Sequence, residues 1–157
     1  MRPDGRIGIL ISGRGSNMES IVRAAEERRI PAVVAVVISN EPGAPGIARA
    51  QARGVEAVVL DHRRAASRED QDRRIVGVLE ERRVDLVCLA GYMKLLTPIL
   101  LNAYPGRILN VHPALLPAFP GLNVQKKALE HGVRFSGATV HFVDAGVDTG
   151  PIILQAA

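Results

Sequence analysis

The sequence is poor in cysteine and aromatic residues, and it has no long apolar run. Cys88 is the single cysteine, so no intramolecular disulfide can form, and its apolar neighbours favour a buried structural thiol. Aromatics make up 3% of the chain and are scattered, which disfavours a stacking platform for nucleic-acid bases. No apolar run approaches the roughly 18 residues that span a bilayer, and no signal-peptide core follows Met1. We therefore expect a cytoplasmic protein with no membrane and no nucleic-acid partner.

What the chain does contain fits a single domain over residues 1–157. The apolar fraction of 47% and the charged fraction of 23% are typical of folded proteins, and the length allows a core without disulfides or metal. The net charge of +4 suits nucleic acid or a small anionic substrate, because a positive field raises the encounter rate with either. We expect a monomer or a homodimer that acts on small molecules.

Strand-like and helical segments alternate along the chain. Apolar runs predict strands at 6–12, 32–39, 55–60, 84–90 and 107–111, and periodicity or capping predicts helices at 18–29, 45–53, 67–83, 97–104 and 123–130. Apolar strands joined by helices indicate a Rossmann-like α/β fold, an open and mostly parallel twisted sheet with helices on both faces. Segments 135–143 and 151–156 follow each other too closely for a crossover helix, which predicts an antiparallel C-terminal portion.

A glycine-rich turn, residues 12–17 (SGRGSN), joins the first predicted strand to the first helix. Glycines allow close backbone approach, and free N–H groups at the positive end of a helix favour a phosphate. The turn is not the dinucleotide fingerprint, which needs a glycine where Met18 stands, and it lacks the lysine of a P-loop. The alternative is a plain tight turn in which Ser16 or Asn17 caps the helix.

Polar residues that carry chemistry follow two of the later apolar runs. Asn110 and His112 lie at the end of one run, and Asp148 follows the alternating stretch near the C-terminus. Open sheets of this kind bind ligands beyond the carboxyl ends of their strands. An amide can donate to a developing oxyanion, an imidazole can donate a proton, and a carboxylate can stabilise the charged imidazole. The alternative interpretation is that all three are turn and cap residues.

Several motifs together resemble the phosphoribosylglycinamide formyltransferases, a folate-dependent formyltransferase family. They are residues 12–17 (SGRGSN), 38–40 (ISN), 90–93 (AGYM), 109–113 (LNVHP) with 115–117 (LLP), and 140–143 (VHFV) through 148–151 (DTGP). Their order and spacing cover essentially the whole chain. The resemblance implies transfer of the formyl group of 10-formyltetrahydrofolate, a co-substrate, to the amine of glycinamide ribonucleotide in purine synthesis, without a metal.

The resemblance also implies which residues form the site. The catalytic group would be Asn110, His112 and Asp148, and the phosphate of the substrate would be held by Gly15, Ser16 and Asn17. The folate site would comprise Arg68 near the folate tail, Met93, Lys94, Leu95, Leu96 and Asn110, and the segment Asp144, Ala145, Gly146, Val147 and Asp148. His141, on the alternating strand, is either a structural histidine of the sheet or a support for His112.

Other enzymes and a binding module remain as alternatives. Methionyl-tRNA formyltransferase would carry a basic C-terminal domain and formyltetrahydrofolate deformylase an N-terminal regulatory domain, and neither is found among these residues. A metal hydrolase using His112, His141 and Asp148 fits by residue type, but the sequence lacks His-x-x-x-His or cysteine-pair spacing. A nucleotide- or RNA-binding module lacks an RNA-binding signature.

The chain departs from the family pattern at its C-terminus. Family members continue beyond position 157 with a further strand and a C-terminal helix. In the family, that segment includes an acidic contact to the glycinamide end of the substrate. We therefore expect this single formyltransferase domain to lack part of the substrate-facing wall.

Overall fold

The computed structural model describes residues 4–157, which form one sheet flanked by helices. The strands are β1 (Gly5–Ile11), β2 (Ala32–Ser39), β3 (Ala57–Val59), β4 (Leu86–Leu89), β5 (Ile108–His112), β6 (Ala138–Phe142) and β7 (Ile152–Ala156). The helices are α1 (Ser16–Glu26), α2 (Pro45–Ala52), α3 (Arg68–Glu81), α4 (Pro98–Ala103) and α5 (Val124–His131), with a 3₁₀ turn at His62–Arg64. Within this range no helix has both the length and the apolar character needed to cross a membrane.

The strand order across the sheet is β3-β2-β1-β4-β5-β6-β7. Neighbouring strands from β3 to β5 run parallel, whereas β6 is antiparallel to both β5 and β7. The connections reverse direction between β1 and β4, which is the point where open α/β sheets form a ligand-binding crevice. The predicted fold class and the antiparallel C-terminal portion are therefore confirmed.

The core lies on both faces of the sheet because successive residues of a strand point to opposite sides. On one face, Leu10 of β1 belongs to a buried cluster with Ile75 and Leu79 of α3. On the other face, Ile9 belongs to a second cluster that includes Met18 of α1. These two layers hold the helices against the sheet and orient the strand ends that carry polar residues.

The element bounds differ from the predicted ones where local geometry overrides periodicity. The first helix ends at Glu26 instead of residue 29, and Arg28 has a left-handed φ of 53° that a continuing helix does not allow. Strand β6 begins at Ala138, because its pairing with β7 begins there. At α3, Ser67 accepts the Asp70 N–H at 3.0 Å, as the predicted cap requires.

Cys88 lies on the central strand β4 and is partly buried. Burial raises the pKa of its thiol to about 11. The thiol therefore stays protonated near neutral pH, which agrees with the structural interpretation of this residue.

Candidate active site

A pocket of about 700 Å³ lies beyond the carboxyl ends of β4 and β5. This volume is within the roughly 300–1,000 Å³ that is typical of small-molecule sites. Its walls are residues from the start of α1, the loop after β4, the end of β5, the segment 121–126, and the loop after β6. Strand ends and loops of the sheet thus meet around one cavity.

His112, the last residue of β5, has both ring nitrogens close to protein oxygens. Its side chain is 4% exposed, and its Nε2 lies 2.8 Å from the carbonyl oxygen of Phe119. Because a carbonyl only accepts, Nε2 carries a proton and donates it. The other nitrogen, Nδ1, lies 3.4 Å from Oδ2 of Asp148.

Asp148 lies between the two histidines of the site. Its Oδ2 faces His112 and accepts the backbone N–H of Gly121 at 2.8 Å, and its Oδ1 lies 3.6 Å from Nε2 of His141. The side chain is 12% exposed, and the residue has a φ of 54°. The carboxylate predicted from the sequence therefore reaches the imidazole of a residue 36 positions earlier in the chain, and it also anchors the loop that contains Gly121.

Asn110 and His141 are direct neighbours on antiparallel strands β5 and β6. Nδ1 of His141 lies 2.9 Å from the carbonyl oxygen of Phe142, so Nδ1 donates and Nε2 is left to accept. Nε2 lies 3.2 Å from Nδ2 of Asn110, which donates to it. His141 is buried within the sheet and contacts Asn110 and Asp148, so its support of His112 stays a prediction.

The residues predicted to bind folate, apart from Arg68, line this pocket. They are Met93, Lys94, Leu95, Leu96 and Asn110, together with Asp144 to Asp148. Met93 and Leu95 expose 62% and 58% of their surface, which is a large fraction for apolar side chains. The Met93 N–H donates to the Ser12 hydroxyl at 2.9 Å, so the end of β1 holds the loop after β4. Arg68 lies outside the lining and donates to the carbonyl oxygen of Leu95 at 3.3 Å.

The loop after β6 is held by its own hydrogen bonds. Oδ1 of Asp144 accepts the Thr149 hydroxyl at 2.7 Å and the Gly146 N–H at 2.9 Å. The hydrogen bond from Thr149 has the largest effect on the pKa of Asp144, and together the two bonds lower it. The loop is thereby ordered as it leads into Asp148.

The glycine-rich turn reaches the pocket through its last residue. Asn17 lines the pocket, whereas Gly15 and Ser16 precede it in the turn without being part of the lining. Gly15 occupies the cap position of α1 with a φ of 75°, and no side chain caps the helix. The interpretation in which Ser16 or Asn17 caps α1 is therefore wrong, and among residues 4–157 no side chain accepts from the first N–H groups of α1.

The sequence did not predict the backbone groups that hold the candidate catalytic side chains. The carbonyl of Phe119 and the N–H of Gly121 contact His112 and Asp148, and both belong to the loop between β5 and α5. The only sequence signal is the turn-forming pair Pro120-Gly121. Phe119 has a left-handed φ of 50°, which is uncommon for an aromatic residue and helps to direct its carbonyl towards His112.

Residues 5–157 match the family model described as formyl transferase. The chain belongs to the formyl transferase family. It is 54% identical to glycinamide ribonucleotide transformylase 1 from Symbiobacterium toebii, with a TM-score of 0.97, over 99% of this chain and 74% of that one. The family resemblance drawn from the motifs is thus confirmed.

Relatives known from sequence agree with the structural match. Phosphoribosylglycinamide formyltransferase from Haemophilus influenzae is 43% identical over 151 residues, covering 96% of this chain and 71% of that protein. The trifunctional purine biosynthetic protein adenosine-3 of Drosophila melanogaster is 49% identical over 154 residues. That match covers 97% of this chain, which spans only 11% of the much longer Drosophila protein.

The metal-hydrolase alternative requires side chains that are arranged to bind a metal ion. His112, His141 and Asp148 do converge, as that alternative requires. Nevertheless, within residues 4–157 no group of three or more His, Cys, Asp or Glu side chains is arranged to hold a metal ion.

Proposed function

We propose that this formyl transferase moves the formyl group of 10-formyltetrahydrofolate to the amine of glycinamide ribonucleotide. The convergence of Asn110, His112 and Asp148 at one pocket, next to the loops that would bind folate, carries the proposal. The names of the relatives support the same acceptor. A substrate phosphate would lie at the start of α1, where no side chain of the described residues 4–157 caps the helix N–H groups.

The proposed reaction is a direct transfer without a covalent enzyme intermediate. The amine nitrogen attacks the formyl carbon, and a C–N bond forms as the carbonyl oxygen takes up negative charge. The bond from the formyl carbon to N10 of the folate then breaks. One proton leaves the amine and one arrives at N10, directly or through water, so the overall change is a formyl group exchanged for a proton.

Asn110 and His112 would stabilise the oxyanion. The amide of Asn110 is oriented by His141 at 3.2 Å, which fixes one donor before the substrate arrives. Preorganised donors of this kind act on the charge that develops in the transition state. Oδ2 of Asp148 lies 3.4 Å from Nδ1 of His112, so a proton on that nitrogen would face a carboxylate oxygen.

The proposed proton donation from His112 requires an exchange of partners. The Nε2 proton is donated to the Phe119 carbonyl at 2.8 Å in the structure. A single N–H makes one good hydrogen bond, so the substrate has to replace this carbonyl when Nε2 acts on the formyl oxygen or on N10. Donation from Nδ1 would instead require separation from Asp148.

Replacing Gly46, which contacts the glycine-rich turn of residues 12–17, by alanine should weaken binding of the substrate phosphate. Gly46 donates its N–H to the Gly13 carbonyl at 3.0 Å. A Cβ at position 46 would lie 2.5 Å from Cδ1 of Ile11, a side-chain end that can shift, but also 3.0 Å from the Gly13 oxygen and 3.2 Å from Cα of Gly15, which are backbone atoms of the turn. Gly46→Ala should therefore displace the turn and raise the KM for glycinamide ribonucleotide about tenfold, equivalent to about 1.4 kcal/mol. Steady-state kinetics with each substrate varied in turn would measure this.

Gly43→Ala is the matched control for that variant. It lies just before α2, three residues ahead of Gly46, and a Cβ there meets nothing within 4 Å. It should leave both KM values unchanged. Equal KM values for Gly46→Ala and the wild type would contradict a role of the turn in holding the phosphate.

The proposed activity is tested by mixing the chain with 10-formyltetrahydrofolate and glycinamide ribonucleotide and following tetrahydrofolate release by absorbance. We expect release that depends on both substrates and yields formylglycinamide ribonucleotide by mass spectrometry. Folate release with formate as product, in the absence of the amine, would instead indicate a deformylase. Transfer only to methionyl-tRNA would indicate the other folate enzyme.

A further inference from the structure

Asp72 is a buried carboxylate that the proposed chemistry does not use. It lies in α3 and is 3% exposed. Its Oδ2 accepts two hydrogen bonds of 2.7 Å, one from the backbone N–H and one from the hydroxyl of Thr97. Thr97 stands at the cap position of α4, yet its hydroxyl makes no cap hydrogen bond. The sequence pattern Thr97-Pro98 is typical of a helix start, but the hydroxyl is used for a contact between elements instead.

A second side chain of α3 contacts the same loop. Arg68, one helical turn before Asp72, donates to the carbonyl oxygen of Leu95 at 3.3 Å. Residues four apart lie on the same helix face, so both side chains reach the loop from one side. The loop from Met93 to Leu96 presents its apolar side chains to the pocket. The helix thus holds the back of the loop while its front lines the candidate folate site.

Burial of Asp72 has an energetic cost. Burial raises the pKa of this carboxyl, and the two hydrogen bonds from Thr97 oppose the rise. The Tyr92 hydroxyl is also buried, without a hydrogen-bond partner among residues 4–157, and burial together with the Asp72 charge raises the pKa of Tyr92. A buried charge is costly unless it is well hydrogen-bonded, and replacing such groups by apolar residues is often neutral or stabilising. A gain in folding stability is therefore a weak explanation for the buried group formed by Asp72, Thr97 and Tyr92.

We infer that Asp72 and Arg68 form a clamp that sets the conformation of the loop Met93–Thr97, and that Asp72 is a positioning residue for the formyl donor. The inference rests on the proposed function, because it assigns the loop to the folate. Asp72 acts through Thr97 and touches no substrate. Its loss should free the Thr97 end of the loop and displace Met93 and Leu95 from the positions in which they line the candidate folate site.

The test compares Asp72→Ala with Asp72→Asn in the full chain. Asp72→Ala removes the acceptor and should raise the KM for 10-formyltetrahydrofolate, and the Kd for tetrahydrofolate measured by calorimetry, about tenfold. The KM for glycinamide ribonucleotide should stay within about twofold. Asp72→Asn keeps an oxygen that accepts both bonds, so it should restore wild-type folate binding. Thr97→Val removes the hydroxyl donor alone and should raise the Kd about threefold, which provides a milder variant if Asp72→Ala folds poorly.

Gln71→Ala is the matched control for general damage to α3. Gln71 is 4% exposed and donates to the carbonyl oxygen of Leu60 at 2.6 Å, away from the loop. It should lower Tm and leave the tetrahydrofolate Kd unchanged. An equal rise in Kd for Gln71→Ala, a parallel rise in both KM values for Asp72→Ala, or an unchanged Kd would overturn the clamp. Failure of the proposed function is separate, since it appears as absence of formyl transfer by the wild type.

Discussion

His112→Ala should reduce turnover by about 10²–10⁴-fold, the usual contribution of a general acid or base. The variant loses the imidazole that lies 3.4 Å from Asp148 and stands at the end of β5 beside the pocket. It removes an interaction that forms with the transition state, so kcat and kcat/KM should fall together while both KM values change little. Steady-state kinetics and a thermal melt of the same preparation would measure the effect.

His62→Ala serves as the control, because His62 lies in the 3₁₀ turn after β3 and outside the pocket. Its turnover should stay within about twofold of the wild type.

Asp148→Asn should also have a lower turnover than the wild type. The double variant with His112→Ala should be no slower than His112→Ala alone, because the pair acts as a unit. Turnover near the wild-type value in His112→Ala would remove His112 from the mechanism.

Asn110→Asp should lower kcat by about 10²–10³-fold, the cost of losing one oxyanion donor. The substitution keeps the shape of the side chain, replaces its donor by a carboxylate oxygen, and puts negative charge where the oxyanion develops. It also ends the donation from Asn110 to Nε2 of His141. The affinity for both substrates should change less than kcat. Single-turnover kinetics would measure the rate of the chemical step separately from product release.

Asn102→Asp is the matched control for the added charge, since Asn102 is exposed on α4. It should have wild-type kinetics. If Asn110→Asp loses affinity for both substrates while kcat is unchanged, then Asn110 contributes to binding alone, and the oxyanion role is wrong.

Much of the fold is predictable because it depends on local patterns. Apolar, β-branched runs such as the one from Ala32 to Ser39 favour strands, and the strand found there has the predicted bounds and is buried in its second half. The antiparallel end of the sheet followed from the short connection before β7, which leaves no room for a crossover helix. Exact bounds were less predictable, as the left-handed Arg28 shows.

The candidate site was predictable only where residue type carries the chemistry. Asn110 and His112 are two positions apart on one strand, so period two alone places them on the same side. The convergence of the 93–96 and 144–148 segments was implied by the family resemblance, and the structure brings both to one pocket. Arg68 differs, because it contacts the back of the loop instead of lining the pocket.

By itself, the sequence determined the alternation of strands and helices, the family, and the side chains able to donate a proton or bind an oxyanion. These depend on residue type and on spacing along the chain. Only the tertiary structure decided that the Phe119 carbonyl and the Gly121 N–H hold His112 and Asp148, and that Thr97 turns its hydroxyl to a buried Asp72. Every residue has a backbone carbonyl, and nearly every residue has a backbone N–H, so which of them meets a side chain depends on long-range packing rather than on local sequence.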